Sequence, residues 1–205
     1  MVGPDFPVGL KLNASDFMKG GFTSAECLQV VSWLNSSSLD LLELSGGSLE
    51  QPKVVGIAVK DEGEDGRRES TKQREAYFID FAASVREVAE MPVMVTGGFR
   101  TAKLMNAAIE NGELDLVGIG RPMIADPMVP AKLLSGEMES APAPEKEIDL
   151  PKILGWFNMQ LEKLGDGTDP DLSLDDVEAA ETFRRIETRN FEALLAERNG
   201  TTQPA

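Results

Sequence analysis

Residues 91–122 read MPVMVTGGFRTAKLMNAAIENGELDLVGIGRP, and this stretch decides the fold. Val93–Thr96 and Leu116–Ile119 are short runs of nearly continuous hydrophobicity, closed off by Gly, Pro or Asp. Strands of a parallel sheet covered on both faces read this way, because neither face offers polar residues to water. Between the two runs a helix is predicted to start near Thr101 and to turn Leu104, Met105, Ala108 and Ile109 inward. The unit is therefore strand, helix, parallel strand, joined by a right-handed crossover.

Working outward, the same pattern recurs. Val8–Leu12 and Leu41–Ser45 are two further buried strands. Thr23-Ser-Ala-Glu26 is a capping box, in which the threonine hydroxyl and the glutamate carboxylate each satisfy a backbone donor of the other residue. Leu28, Val31 and Leu34 follow at helical spacing. Another helix is predicted over about residues 71–90, with Phe78, Phe81, Ala82, Val85 and Val88 or Ala89 on one face. The order β-α-β-α-β-α-β-α defines an α/β protein.

Two stretches break the rhythm. Residues 46–70 form a long, charged loop containing Asp61-Glu-Gly-Glu-Asp-Gly66. It follows a strand's C-terminal end, where barrel enzymes build active sites, although an acidic tip of this kind also suits a plain surface excursion. Residues 135–150 form a Pro/Glu-rich linker that separates residues 1–134 from a helical extension over 151–205. Trp156, Phe157, Leu161, Phe183, Ile186, Phe191 and Leu194 of that extension are expected to pack on the barrel or on a neighbouring subunit.

Composition narrows the chemistry. The chain has 205 residues and a net charge of −15, which repels phosphate backbones and argues against nucleic acid as partner. It contains no histidine, so a Ser-His or Cys-His nucleophile and the commonest metal ligand are excluded. No apolar run approaches the ~20 residues needed to span a bilayer. The single cysteine, Cys27, makes no internal disulfide and reads as a small core residue in a cytoplasmic protein. Asp115 reads as a turn residue and Asp126 as a helix N-cap with Pro127 at the first helical position. The acidic residues around Asp175 and Glu178 lack metal-ligand spacing and read as a solvated helix face.

Three places carry candidate chemistry. At Thr96-Gly97-Gly98-Phe99-Arg100-Thr101 a strand ends on two glycines before a helix begins. Glycine permits close backbone approach and a helix N-terminus favours an anion, so the motif suits a phosphate; it equally suits a tight turn that needs positive φ. Gly118-Ile-Gly120-Arg121-Pro122 sets a second glycine turn and a guanidinium after the next strand. Barrel enzymes often hold a phosphate between the loops after their last two strands, and two such motifs in succession favour a phosphate-bearing cofactor. Lys11, between Leu10 and Leu12, is costly in a buried strand unless it meets an anion. With both leucines toward the helices it points to the opposite face, where it can stabilise an anion or a developing negative charge; an edge lysine reaching for water is the other reading.

Taken together, VGLKLNASDFMKGGFTSAE, DLLELSGGSLEQP, REAYF, MPVMVTGGFRT and DLVGIGRPMIADP resemble, in this order, the second half of Old Yellow Enzyme-type flavoproteins, the NADH:flavin oxidoreductases. The resemblance covers about residues 2–130 and implies a TIM (β/α)8 barrel of which only the C-terminal half, about four βα units, is present. It implies FMN as cofactor and NADH or NADPH as reductant. Lys11 then meets the flavin's N1/C2 carbonyl edge, lysine standing where many members have arginine, while Gly97, Gly98, Gly120 and Arg121 hold the phosphate. The family reduces activated alkenes such as α,β-unsaturated carbonyls, using a His/His or His/Asn pair and a tyrosine from strands one to four; none of these is in this chain. Tyr77 is expected to be structural. A half-barrel exposes two strand edges, so an N-terminal half-barrel or a homo-oligomer is expected to complete it. The alternatives are a non-catalytic half-barrel that self-associates, or another phosphate-binding barrel such as a lyase or isomerase.

Overall fold

The computed structural model describes residues 3, 5–16, 19–45 and 79–199. The expected loop over residues 46–70, with its acidic tip, and Tyr77 and Phe78 lie outside the described residues. The chain divides into two compact units: Met1–Gly120 with Ala131–Ala141, and Arg121–Pro130 with Pro142–Ala205.

The first unit is built on four strands, β1 (Gly9–Asn13), β2 (Leu41–Ser45), β3 (Val93–Thr96) and β4 (Leu116–Gly118), with helices α1 (Ser24–Leu34), α2 (Ile79–Arg86) and α3 (Ala102–Glu110) between them. All three strand pairs are parallel, and the spatial order β1-β2-β3-β4 follows the chain. A doubly wound sheet reverses its strand order at a switch point, whereas a barrel adds each strand beside the last. This sheet is therefore an arc of an α/β barrel.

Alternation along the strands separates the two faces. Leu42, Leu44, Val93 and Val95 are buried, with Leu10, Leu12 and Val117 packed against them, and Cys27, Val31, Ala82, Val85, Met105 and Ala108 of the helices close this core. Lys11, Glu43 and Met94 alternate with these residues and stand on the opposite face, in one register row. Helix α1 starts at the capping box read from sequence: Glu26 N–H donates to Thr23 Oγ1, and Thr23 N–H donates to Glu26 Oε2 at 2.8 Å. Asn35 ties the end of α1 to the turn before β3, donating from Nδ2 to Val88 O at 2.8 Å and accepting from Glu90 N–H.

Three sequence expectations are corrected. Helix α2 ends at Arg86 and not near residue 90, because the chain must turn to enter β3 through Pro92. Ile109 is 46% exposed; Met105 and Ala108 fill the inward stripe and leave Ile109 on its flank. Pro127 precedes a helix without belonging to it, since the helix Val129–Ser135 (α5) begins after an Asx turn in which Asp126 Oδ1 accepts from Met128 N–H. Asp115 does more than turn the chain. Its carboxylate accepts from Val93 N–H at 2.7 Å and pairs with Arg86 at 3.2 Å, closing β3 at its amino end.

The second unit contains α4 (Arg121–Ala125) and the hairpin of α6 (Leu150–Gly165) and α7 (Asp176–Arg198). Its core is its own: Ile153, Trp156, Phe157, Met159 and Ala179, with Ile124, Ile148, Leu174 and Ile186 against them. The helices touch most closely at Gly155, where a Cβ would lie 2.6 Å from Ala180 Cα. Buried Gln160 bonds both ways to the Asp171 backbone, at 2.8 and 2.7 Å. Asp175, read as part of a solvated face, is the N-cap of α7 and accepts from Val177 and Glu178 N–H. Phe191 and Leu194, expected to pack, are 61% and 65% exposed.

Candidate cofactor site

Parallel pairing in register brings the four strand ends to one edge of the sheet. Asn13 lies beside Ser45, and Thr96 beside Gly118. The candidate residues of the first unit gather at this edge and on the face behind it.

The β3 tip has the backbone that its glycines permit. Gly97 and Gly98 have φ of 130° and 82°, a region L side chains rarely enter. Neither N–H donates to another described residue. The start of α3 contributes less than its sequence promised. Thr101 Oγ1 accepts from Leu104 N–H at 3.4 Å, and Ala102 N–H donates to Glu139 O at 2.9 Å, so two of the first donors of the helix are occupied within the chain. The glycine pair, and not the helix dipole, supplies the available donors.

The adjacent β4 tip adds Gly118, which the sequence reading named in the second glycine motif without giving it a role. A Cβ on Gly118 would fall 1.8 Å from Thr96 Oγ1 and 2.8 Å from Thr96 Cβ. Gly118 therefore lets the threonine side chain lie across it and holds the two tips together. The first glycine of a strand-ending G-x-G was the available signal. Gly120, by contrast, has nothing within 4 Å of its would-be Cβ and no positive φ, so its surroundings are open. Thr96 Oγ1 is buried and makes no hydrogen bond of good geometry within the described residues.

On the open face, Lys11 Nζ sits 2.7 Å from Glu43 Oε1. The lysine points away from the helices, as the flanking leucines require, but its side chain is 54% exposed and not buried. The anion that meets its charge within the chain is Glu43, at the facing register position on β2. Burial pushes the Glu43 carboxyl up, yet the Lys11 hydrogen bond, the nearby Thr96 hydroxyl and the Lys11 charge together outweigh it and hold the group below its ordinary value. Asn13, one pleat further on, donates to Asp16 Oδ1, and Asp16 in turn accepts from Phe22 N–H at 2.8 Å, which ties down the loop after β1.

Arg121 belongs to the second unit, where it opens α4 and its Nη1 lies 3.6 Å from Glu145 Oε1. Cys27 is fully buried and its thiol is pushed up to about 11 by that burial, which makes it inert in the folded chain. A cavity of about 420 Å³ opens at the other end of the sheet, among Asn35, Ser37, Leu39, Asp40, Glu90, Met91 and Pro92. Barrel chemistry sits at the carboxyl ends of strands, so this cavity is not part of the site. No group of three potential metal ligands occurs among the described residues, and no described helix is long and apolar enough to cross a membrane.

A parallel arc of four strands in chain order with helices between them defines an α/β-barrel protein. The chain belongs to the NADH:flavin oxidoreductase / NADH oxidase family, whose model matches residues 1–139. It is 30% identical over 148 residues to an NADH-dependent flavin oxidoreductase of Neonectria sp. (strain DH2), covering 72% of this chain and 19% of that protein. It is 27% identical over 178 residues to an NADH-dependent flavin oxidoreductase of Aspergillus parasiticus, covering 85% of this chain and 38% of that protein. Among solved structures, 2-naphthoyl-CoA reductase in complex with 2-naphthoyl-CoA aligns with a TM-score of 0.54 at 22% identity, over 68% of this chain and 20% of that one. The chain thus spans less than two fifths of the length of these relatives. Membership of this oxidoreductase family indicates FMN and a nicotinamide reductant as cofactors. The residues present fit the flavin nucleotide: adjacent glycine donors suit its phosphate, and a half-exposed cation stands on the inner face of the arc.

Proposed function

We propose that this chain forms part of the FMN site of an NAD(P)H-dependent oxidoreductase of the ene-reductase type, which reduces activated C=C bonds such as those of α,β-unsaturated carbonyls. The observation that carries the reading is the β3 tip, where Gly97 and Gly98 present adjacent N–H groups that donate to no other described residue, beside the open Gly120 turn. Two neighbouring donors bind a phosphomonoester well, because each N–H is already oriented when the anion arrives. Arg121, next in the chain after Gly120, is assigned to the phosphate on the sequence resemblance. Lys11 is assigned to the ring, where its charge favours the electron-rich form.

Bound FMN would supply two-electron hydride transfer from the nicotinamide to the alkene. The chain's own residues bind the phosphate and orient the ring, while the alkene-holding pair and the proton donor come from elements other than those described. An N-terminal half-barrel, in the same or another polypeptide, would complete the arc by covering the open face of Lys11, Glu43 and Met94. A reducing, cytoplasmic location agrees with the one inert cysteine.

Flavin titration followed by fluorescence quenching tests the reading. The 205-residue chain is expected to bind FMN more tightly than riboflavin, and Gly98→Ala to remove that preference. Equal affinity for FMN and riboflavin would refute the phosphate assignment, and no uptake of either would refute the flavin reading itself.

A further inference from the structure

We propose that Glu43 is a positioning residue for Lys11, holding its ammonium in place on the inner face of the arc and tempering the charge it presents to the flavin ring. The inference rests on the flavin reading above. It starts from an asymmetry in the pair: the Lys11 side chain is 54% exposed, whereas that of Glu43 is 21% exposed. The less exposed partner on the central strand fixes the more mobile one. A lysine stem carries ~2 kcal/mol of rotamer entropy, so an unpaired Lys11 would sweep a wide volume. The 2.7 Å contact to a directly facing strand position confines it.

Glu43 also feels the Thr96 hydroxyl, but its closest partner is Lys11 at 2.7 Å. It interrupts Leu42 and Leu44 on the face away from the helical core, with Met94 as its next neighbour in the row. A leucine there would be the ordinary choice for a barrel interior, where layers of branched apolar residues pack. Because its carboxyl stays ionised, the pair is net neutral at working pH. An unscreened lysine would favour a negatively charged reduced ring strongly over the neutral oxidised one. Glu43 weakens that preference and so would lower the reduction potential of bound FMN.

Two measurements on the full 205-residue chain test this. Acylation of Lys11 by an amine-reactive ester, read by mass spectrometry against exposed Lys103, probes the pair without flavin. Glu43→Gln is expected to accelerate labelling of Lys11 several-fold and to leave Lys103 unchanged. Equal Lys11 labelling in both proteins would overturn the positioning role whatever the flavin does. The midpoint potential of bound FMN then reads the charge effect. Glu43→Gln is expected to raise it, by about 30 mV for each tenfold gain in preference for the reduced form. The rise should vanish in a Lys11→Met background, and Lys11→Arg beside an intact Glu43, which keeps the pair, should leave the wild-type value unchanged. An unmoved potential, or the same rise without Lys11, would overturn the proposal. Labelling that responds in a chain retaining no FMN would instead overturn the flavin reading, and the potential-setting role with it.

Discussion

Gly118→Ala is the substitution whose consequence the geometry fixes most tightly. The new methyl would lie 1.8 Å from Thr96 Oγ1, 2.8 Å from Thr96 Cβ and 3.0 Å from Thr96 Cα. Rotating Thr96 about χ1 clears the hydroxyl, but Cβ and Cα are carried by the backbone of β3 and move only with the strand. Ordinary carbon contacts lie at about 3.5–4.0 Å, so the ends of β3 and β4 must part by roughly 0.5–1 Å. Overpacking of that kind costs about 1–3 kcal/mol. It also loosens the paired tips from which Gly97, Gly98 and Gly120 project, so flavin affinity should fall with stability. Urea unfolding followed by circular dichroism gives the first quantity and flavin titration the second. The control is Thr96→Gly combined with Gly118→Ala. Removing Cβ and Oγ1 takes away the obstruction, so the double variant should lose at least about 0.5 kcal/mol less than the sum of the single changes, the coupling expected of residues in contact. A Gly118→Ala protein within about 0.5 kcal/mol of wild type would refute the close approach, because that is the range of an ordinary surface change.

Other outcomes follow from single contacts. Gly98→Ala, at φ 82°, should cost about 1–2 kcal/mol of stability through left-handed strain, measured by the same unfolding assay. Thr23→Ala should cost about 1 kcal/mol by removing one half of the capping box of α1. Cys27, fully buried and with its thiol pushed up to about 11, should resist a thiol reagent at pH 8 in the native chain and react at once in denaturant; native reactivity would contradict its burial. Glu43 has its carboxyl depressed in the folded state, so its contribution is present in full above the unfolded value near pH ~4.3 and is lost as pH falls through the folded one. The stability gap between wild type and Glu43→Gln should therefore narrow on acidification below that pH, and a gap that widened would contradict the ion pair.

Much of this was readable from residues in order. Mostly apolar runs marked β1 to β4 within a residue at each end, because the face toward the helices must be apolar; Lys11 and Glu43 fall on the other face. The capping box at Thr23 was legible because its two partners lie three residues apart and need nothing else. The glycine turns after β3 and β4 were legible as motifs. Glu43, Gly118 and Asp115 were not. Each acts across strands, and its partner lies 32 residues away for Glu43 and 22 for both Gly118 and Asp115. No local pattern records such a pairing; a charged residue between leucines on β2, facing a lysine between leucines on β1, was the nearest signal.

By itself the sequence determined the α/β order, the parallel character of the strands and the family, since these depend on hydrophobic period and on motifs a few residues long. Register alone decided the rest. It set Glu43 opposite Lys11 and laid Thr96 across Gly118. The physical reason is that a side chain's cost and use depend on what stands within about 4 Å of it, and in a parallel sheet that neighbour comes from a different strand.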